Sequence, residues 1–190
     1  VGTPTVSMTD ANWADTYAAF QVVTSEEAAN WKFASQFISE PFPAEAIDLI
    51  VSFMSKAPTP ECNYFTNAFG GAVRDSEPSG GSAFAHRNSL FYAEPGAGWG
   101  GARGELPVGR PAAPDPLTPV CLDWIAEFAE ALAPYVNGAY INVPNADMAD
   151  WETAYWGEGV DRLRAIKAKY DPNNVFSFEQ SIPLLHDPRR

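Results

Sequence analysis

The sequence contains few of the residues that build metal sites, disulfide frameworks or basic surfaces. Of its 190 residues only two are cysteine and two are histidine, and 12 Lys and Arg stand against 24 Asp and Glu, a net charge of -12. Cys62 and Cys121 are too few for a disulfide framework, and we expect both to be small core residues. His86 and His186 have no ligand spacing around them, so no metal site is expected. Nucleic acid and anionic membrane surfaces repel an acidic chain and are excluded as expected partners.

Long hydrophobic runs are also missing. No apolar run approaches the roughly 20 residues that cross a bilayer, and no basic, apolar leader opens the chain. We therefore expect a soluble protein, either cytoplasmic or secreted. The chain begins with Val1 rather than Met. We interpret Val1 as a cut point inside a longer protein, with a processed mature N-terminus as the alternative.

The sequence is rich in apolar and aromatic residues, at 46% and 13%. This composition and length suit one sizeable core, or one domain with an extension. Alternation and residue type predict strands at 16–23, 31–38, 62–69, 84–94 and 139–143. Apolar spacing predicts a helix at 44–55, with Ile47, Ile50, Val51 and Met54 on one face. A second helix is predicted from the Thr118 cap to Pro134, with an apolar stripe of Cys121, Trp124, Phe128 and Leu132, and a third at 150–169. Glycine and proline predict irregular segments at 76–82 and 96–116.

The order of these elements favours a mixed fold. Helices lie between strands, but strand-turn-strand steps occur around residues 70–84, which parallel βαβ units would not contain. We therefore expect an α+β fold, with a mainly antiparallel sheet, helices packed on one face and a C-terminal helical extension.

The last third of the chain carries an ordered series of motifs. They are AYIN at 139–142, YWGE at 155–158, RLRAIK at 162–167, YDPNNVF at 170–176 and QSIP at 180–183. Their order and spacing resemble the C-terminal signature of the berberine-bridge-enzyme-like oxidases. Earlier stretches at 31–37, 70–71 and 83–87 extend the resemblance over about residues 31–183.

The resemblance implies a flavin-dependent oxidase that oxidises a hydroxylated small molecule, such as a sugar or a secondary metabolite, and passes electrons to oxygen. Family members bind FAD in a separate N-terminal domain, and nothing in this sequence matches it. The resemblance thus implies that residues 1–138 form a substrate-side domain and that 139–190 pack on the missing FAD domain. We expect the chain alone to bind no FAD and to be inactive. The alternative is a stand-alone small-molecule-binding or interaction domain.

Two residues are candidates for the catalytic base. The family has a tyrosine facing the flavin at the position of Tyr140, which the strand prediction for 139–143 places on a rigid element. A phenol needs a neighbouring donor, cation or second phenol to act as a base near neutral pH. Glu94 falls where family members have Glu or Gln, although Pro95 follows where an aromatic residue is usual. The alternatives are an ordinary core tyrosine and a solvent-facing carboxylate.

Four further residues are candidates for binding. Asn142, two residues from Tyr140 on the same predicted strand face, and Asn174 are cofactor candidates, with structural roles in turns as the alternative. His86 and Arg87 are substrate candidates, with a packed strand residue and a surface cation as the alternative. The family pattern also has Asn and Tyr where this sequence has Gly159 and Val143, which removes one polar contact and one wall near Tyr140.

Overall fold

A computed structural model describes residues 10–24, 28–79, 81–102 and 115–184. The helices are α1 (Trp13–Thr24), α2 (Ala44–Ser55), the short α3 (Ala72–Asp75), α4 (Leu117–Leu132), α5 (Trp151–Trp156) and α6 (Val160–Tyr170). The strands are β1 (Ala28–Phe33), β2 (Gln36–Ile38), β3 (Asn63–Ala68) and β4 (Phe91–Ala102). The fold is α+β, as predicted.

The long strand β4 organises the sheet. It pairs antiparallel with β1 and β2 along one edge and with β3 along the other. Cα partners include Trp31 with Gly98, Phe37 with Tyr92, and Phe65 with Glu94. The break between β1 and β2 lies opposite Glu94 and Pro95.

The prediction of irregular structure from residue 96 is wrong for Gly96–Ala102, which form the second half of β4. The glycines there serve packing. A Cβ atom on Gly96 would lie 2.7 Å from Cε1 of Phe33, and one on Gly98 would lie 2.8 Å from Cη2 of Trp31. The aromatic rings of β1 therefore pack against β4 only because the glycines leave room for them. Residues 103–114 of the same predicted segment lie outside the described part.

Helices α2 and α4 cover one face of the sheet and form the main core. Phe128 of α4 is fully buried and stacks on Phe53 of α2, with ring centroids 4.6 Å apart. The predicted α4 stripe is confirmed, since Cys121, Trp124, Phe128 and Leu132 are all buried. Cys62 and Cys121 are free, buried core residues, as predicted, and burial raises the pKa of the Cys121 thiol.

Helix α2 has the predicted bounds but not the predicted buried face. Ile50 and Met54 pack on the core, whereas Ile47 and Val51 are 51% and 61% exposed. Helix α4 also begins differently. The helix starts at Leu117, whose N–H donates to the Asp115 carboxylate at 2.9 Å. Thr118 lies inside the helix, and its hydroxyl accepts the indole N–H of Trp99 at 2.8 Å.

The predicted strand at 16–23 is wrong, because residues 13–24 form α1. Asn12 directs this choice. Its side-chain oxygen accepts the backbone N–H of Asp15 at 3.0 Å, and its carbonyl accepts the N–H of Thr16 at 3.0 Å. A side-chain cap of this kind satisfies the free donors of a first helical turn, which outweighs the strand preference of the aromatic and branched residues that follow.

Two predicted strands and one helix are also corrected. Residues 84–90 precede β4 as a loop, with the Ser89 N–H donating to the carbonyl of His86 at 3.1 Å. Residues 139–143 form a turn, with a 2.9 Å bond from the Val143 N–H to the Tyr140 carbonyl. The predicted helix at 150–169 is interrupted by a 3-10 turn, Gly157–Gly159, where Gly157 has φ 51°. That left-handed conformation favours glycine, so the chain changes direction between α5 and α6.

None of the helices in the described part is both long and apolar enough to cross a membrane. The described residues likewise contain no group of three or more His, Cys, Asp or Glu side chains positioned to hold a metal ion.

Candidate functional site

Residues 137–147 form a connecting segment that lies along the β1–β2 edge of the sheet. The Asn137 N–H donates to the Phe37 carbonyl at 2.9 Å, and the Phe37 N–H donates to the Gly138 carbonyl at 3.0 Å. Farther along, the Tyr140 N–H donates to the Ser35 hydroxyl at 2.9 Å. The ammonium group of Lys32 bonds the Asn145 oxygen at 2.7 Å. These bonds hold the segment in place although it is not a strand.

The segment brings Tyr140 against the sheet face that the helices leave uncovered. Successive residues of a strand point to opposite faces. Since Ala97 and Trp99 belong to the core under α4, Tyr92 and Glu94 point to the other face. There the Tyr140 ring lies edge-on to Tyr92 and to Phe37, with centroids 5.8 and 6.1 Å apart.

Two polar contacts link the site residues into what we name the Tyr140 cluster: Phe37, Tyr92, Glu94, Tyr140 and Asn142. The Asn142 amide donates to the Tyr140 hydroxyl at 2.8 Å, and the Tyr92 hydroxyl donates to the Glu94 carboxylate. Burial, followed by this bond to Glu94, raises the pKa of Tyr92. Tyr92 therefore stays protonated and acts as a donor.

The Tyr140 cluster is open on one flank. Tyr140 and Glu94 are half-buried and Asn142 is exposed. Phe65 of β3, the cross-strand neighbour of Glu94, is 45% exposed. The polar groups of the AYIN motif are thus not enclosed by this chain, and a ligand has access to them together with an aromatic surface.

The structure brings His86 close to this site. The ring stacks on Phe37 at 4.1 Å and is 8% exposed. Burial lowers the pKa of His86, opposed by backbone hydrogen bonds at Tyr155, Ala139 and Ala154. Gly138 lies against the ring, because a Cβ atom there would be 2.3 Å from Cε1.

Arg87 and Asn174 lie elsewhere. Arg87 pairs with Glu77, donates to the Val73 carbonyl at 2.7 Å and covers the Phe84 ring at 5.7 Å, so it holds the loop before β4 together. Asn174 has φ 52° in the turn after α6, where its N–H donates to the Asp171 carbonyl at 3.0 Å. Neither side chain is part of the Tyr140 cluster.

Sequence reasoning did not single out Tyr92. The signal was present, since Tyr92 and Glu94 are two apart in a predicted strand and must share a face. Its significance arises only from the fold, which places Tyr140, 48 positions later in the chain, against its ring.

The chain is similar to known proteins in sequence and in fold. The family model "Berberine and berberine like" matches residues 139–183. The FAD-linked oxidoreductase YvdP of Bacillus subtilis is 35% identical over 80% of this chain and 31% of its own length. YgaK of the same organism, also an FAD-linked oxidoreductase, is 30% identical over 97% of this chain and 38% of its own length. The chain therefore spans less than two fifths of these relatives.

A solved structure shares the fold. The wild-type BBE-like 1 protein of Physcomitrella patens superposes with a TM-score of 0.68 at 27% identity, covering 84% of this chain and 31% of that chain. Motifs, fold and relatives agree: this chain matches the C-terminal part of the berberine-bridge-enzyme-like FAD-linked oxidoreductases.

Proposed function

We propose that this chain forms the substrate-side half of the active site of a flavin-dependent oxidase, and that the reaction oxidises a hydroxyl-bearing carbon of a small molecule such as a sugar or a secondary metabolite, with oxygen as the final acceptor. The single observation that supports this most is the Tyr140 cluster. It places two phenols, a carboxylate and an amide on an open flank of an uncovered sheet face.

The residues on this flank suit FAD. A flavin ring offers a flat apolar surface and a polar edge, and the cluster offers aromatic rings beside an exposed amide that both donates and accepts. Tyr140 and Asn142 would contact the cofactor, and Asn174 remains a more distant candidate. FAD, when bound, supplies the hydride acceptor. It would be held largely by an N-terminal domain outside residues 1–190.

The chain's own residues would bind the substrate and take its hydroxyl proton. We assign the base to Tyr140, whose phenol oxygen accepts the Asn142 amide and opens toward the flank. Glu94 is the second candidate, because the Tyr92 hydroxyl holds its carboxylate in one orientation. His86 would shape the substrate side through its stack on Phe37. Arg87 would act indirectly, by holding the loop that carries His86.

The division at residue 138 is part of the same proposal. Residues from 139 onward have a small core of their own, in which Ala139, Trp151 and Tyr155 are buried. The bonds from Ser35 and Lys32 to the connecting segment join this unit to the sheet. Residues 1–138 would thus carry the substrate-side sheet, and residues 139–190 would carry Tyr140 and pack against the FAD domain.

The test uses the flavin-loaded protein that carries this chain. Tyr140→Phe should lower kcat by roughly 10²- to 10⁴-fold, the usual contribution of a general base, with a smaller change in KM. Tyr17→Phe, on the exposed α1, is the matched control and should leave both constants unchanged. A normal kcat in Tyr140→Phe together with a large loss in Glu94→Gln would transfer the role to Glu94.

The alternative of a stand-alone binding or interaction domain makes a different prediction. If the natural gene product has the mass of this chain, shows no flavin absorbance and still binds small molecules, the oxidase proposal is wrong. For the isolated 190-residue chain we expect no flavin absorbance and no oxidase activity.

A further inference from the structure

A small cavity lies between the loop before β4, the connecting segment that carries Tyr140, and α5. Its volume is about 220 Å³, and it is lined by residues 83–84, His86, 139–142 and 155–156. The walls are mostly apolar, and no Asp, Glu, Lys or Arg is among the lining residues. A cavity of this size holds a six-membered ring or a few water molecules.

Two buried nitrogen atoms of the lining residues have no hydrogen-bond partner in the described part of the chain: Nε2 of His86 and Nε1 of Trp156. Buried polar groups without partners are rare, and each points to a ligand or a water that completes it. The neighbouring Tyr155 hydroxyl, by contrast, accepts the Asn145 N–H at 2.9 Å and bonds the Gln180 oxygen at 3.2 Å. Among the described lining residues, the buried nitrogen atoms without a partner are therefore those of His86 and Trp156.

The two nitrogen atoms have complementary roles. The indole Nε1 of Trp156 only donates. The tautomer of the His86 ring decides whether Nε2 accepts or donates a hydrogen bond. A neutral imidazole that carries its hydrogen on Nδ1 accepts at Nε2. A single group that accepts from Trp156 and donates to His86 is a hydroxyl.

We propose that this cavity is a binding site for the hydroxyl group of a neutral ring compound, anchored between Trp156 Nε1 and His86 Nε2. The proposal rests on the proposed function for its substrate class, since Tyr140 forms part of the same wall. Beyond that function, it states that the ligand is neutral and that Trp156 Nε1 and His86 Nε2 bind its hydroxyl group. An ion finds no counter-charge in the lining, and its desolvation inside apolar walls is unfavourable.

The test is a binding measurement on this chain and needs no flavin. The probes are cyclohexanol, cyclohexanecarboxylate and cyclohexylammonium, which share a ring and differ in charge. Nitrogen-15 NMR follows the six tryptophan indole signals, and Trp156→Phe identifies the Trp156 signal by its loss. Cyclohexanol should shift that signal with saturation, and each ion should bind at least about tenfold more weakly.

Trp156→Phe keeps the aromatic bulk and removes the donor, so cyclohexanol affinity, read from other signals, should fall by about tenfold. Trp124→Phe is the matched control. It also loses an indole bond, donated at 3.3 Å to the Phe53 carbonyl in the main core, and it should bind as the wild type does.

Two results would overturn the proposal. One is a Trp156 signal that does not move with cyclohexanol, which leaves ordered water only in the cavity. The other is an equal shift with all three probes. Both comparisons are measured on the wild-type chain, where through-bond resonance assignment identifies the Trp156 signal if the variant does not fold. If cyclohexanol does not bind, the kinetic test with Tyr140→Phe still decides the proposed function. If the parent protein is inactive, the binding measurement on this chain still decides the proposed binding site.

Discussion

Tyr64 of β3 carries a hydroxyl group that the fold buries without a partner in the described residues. Its ring packs on the main core and stacks on Phe128 at 5.6 Å. Burial raises the pKa of Tyr64 to about 12, compared with about 10 for a free tyrosine. The ring contact therefore stabilises the fold, whereas the buried hydroxyl without a partner destabilises it.

We expect Tyr64→Phe to raise the free energy of unfolding by about 1 kcal/mol at neutral pH, because it removes an unpaired buried polar group and keeps the ring. The wild type should also lose stability as the pH rises from about 10 to about 12. In that interval the unfolded chain releases the Tyr64 proton, whereas the folded chain still keeps it. The variant should lose less in that interval. Urea unfolding at pH 8 and pH 11 measures both effects.

Tyr17→Phe, at an exposed ring, is the control for Tyr64→Phe and should change neither value. A lower stability of Tyr64→Phe at pH 8 would mean that its hydroxyl has a partner. Some alkaline loss should persist in Tyr64→Phe, because the pKa of Tyr92 is also raised.

At the scale of elements, the end of α6 depends on one carboxylate. Asp171 accepts the backbone N–H groups of Val175 and Phe176 at 2.8 and 3.1 Å, and it pairs with Lys167. The bond from Lys167, then the two backbone N–H groups, lower the pKa of Asp171. This side chain holds the turn that leads from α6 into the last described segment.

Asp171→Asn should accelerate hydrogen exchange at the Val175 and Phe176 amides while α4 keeps its protection, because the amide cannot replace both charged contacts. In the wild type, protection of these two amides should persist above the ordinary aspartate pKa of about 4 and be lost as the pH falls through the lowered value. Mass spectrometry of exchange, resolved by residue, measures this.

Asp161→Asn is the matched control, since Asp161 is an exposed partner of Arg164 at the start of α6. It should leave the two amides protected. Equal exchange in the wild type and Asp171→Asn would show that the turn is held by other contacts.

Elements whose apolar residues recur at regular spacing within one segment were predictable from the sequence. Helices α2 and α4 and strand β3 follow from local apolar patterns. Elements set by a cap, a glycine or a distant partner were not. The Asn12 cap makes α1 a helix, Gly157 separates α5 from α6, and the bond from Tyr140 to Ser35 replaces the expected strand pairing.

The candidate site was predictable only in part. Tyr140, Asn142 and Glu94 were identified through the resemblance, but their contacts were not, because Glu94 and Tyr140 are far apart in sequence. Tyr92, which connects the carboxylate to the tyrosine ring, becomes recognisable only when β4 and the connecting segment meet.

At the scale of the whole molecule, apolar side chains are concentrated on the surface of the last described segment. Tyr170, Val175, Phe176 and Phe178 are each 66–79% exposed. Large apolar side chains exposed in one short segment are typical of docking surfaces. On the proposed function, this surface would meet the FAD domain.

We expect the isolated chain to bind a hydrophobic fluorescent dye, and the double variant Phe176→Ser, Phe178→Ser to bind clearly less with an unchanged free energy of unfolding, because neither ring contributes to the core. The double variant Ile47→Ser, Val51→Ser, on exposed α2 positions, is the control and should keep most of the dye signal. Full dye binding after loss of both phenylalanines would refute this surface.

The central position of β4 also has a consequence for how the chain acquires its shape on the ribosome. Strands β1, β2 and β3 all pair with β4, and Ala28 meets Ala102. At a synthesis rate of roughly 5–20 residues per second, β1 emerges about 4–15 seconds before its partner is complete. During that interval β1, then β2 and then β3, are made without their partner, so the newborn polypeptide carries unpaired strand edges that favour aggregation until β4 leaves the exit tunnel.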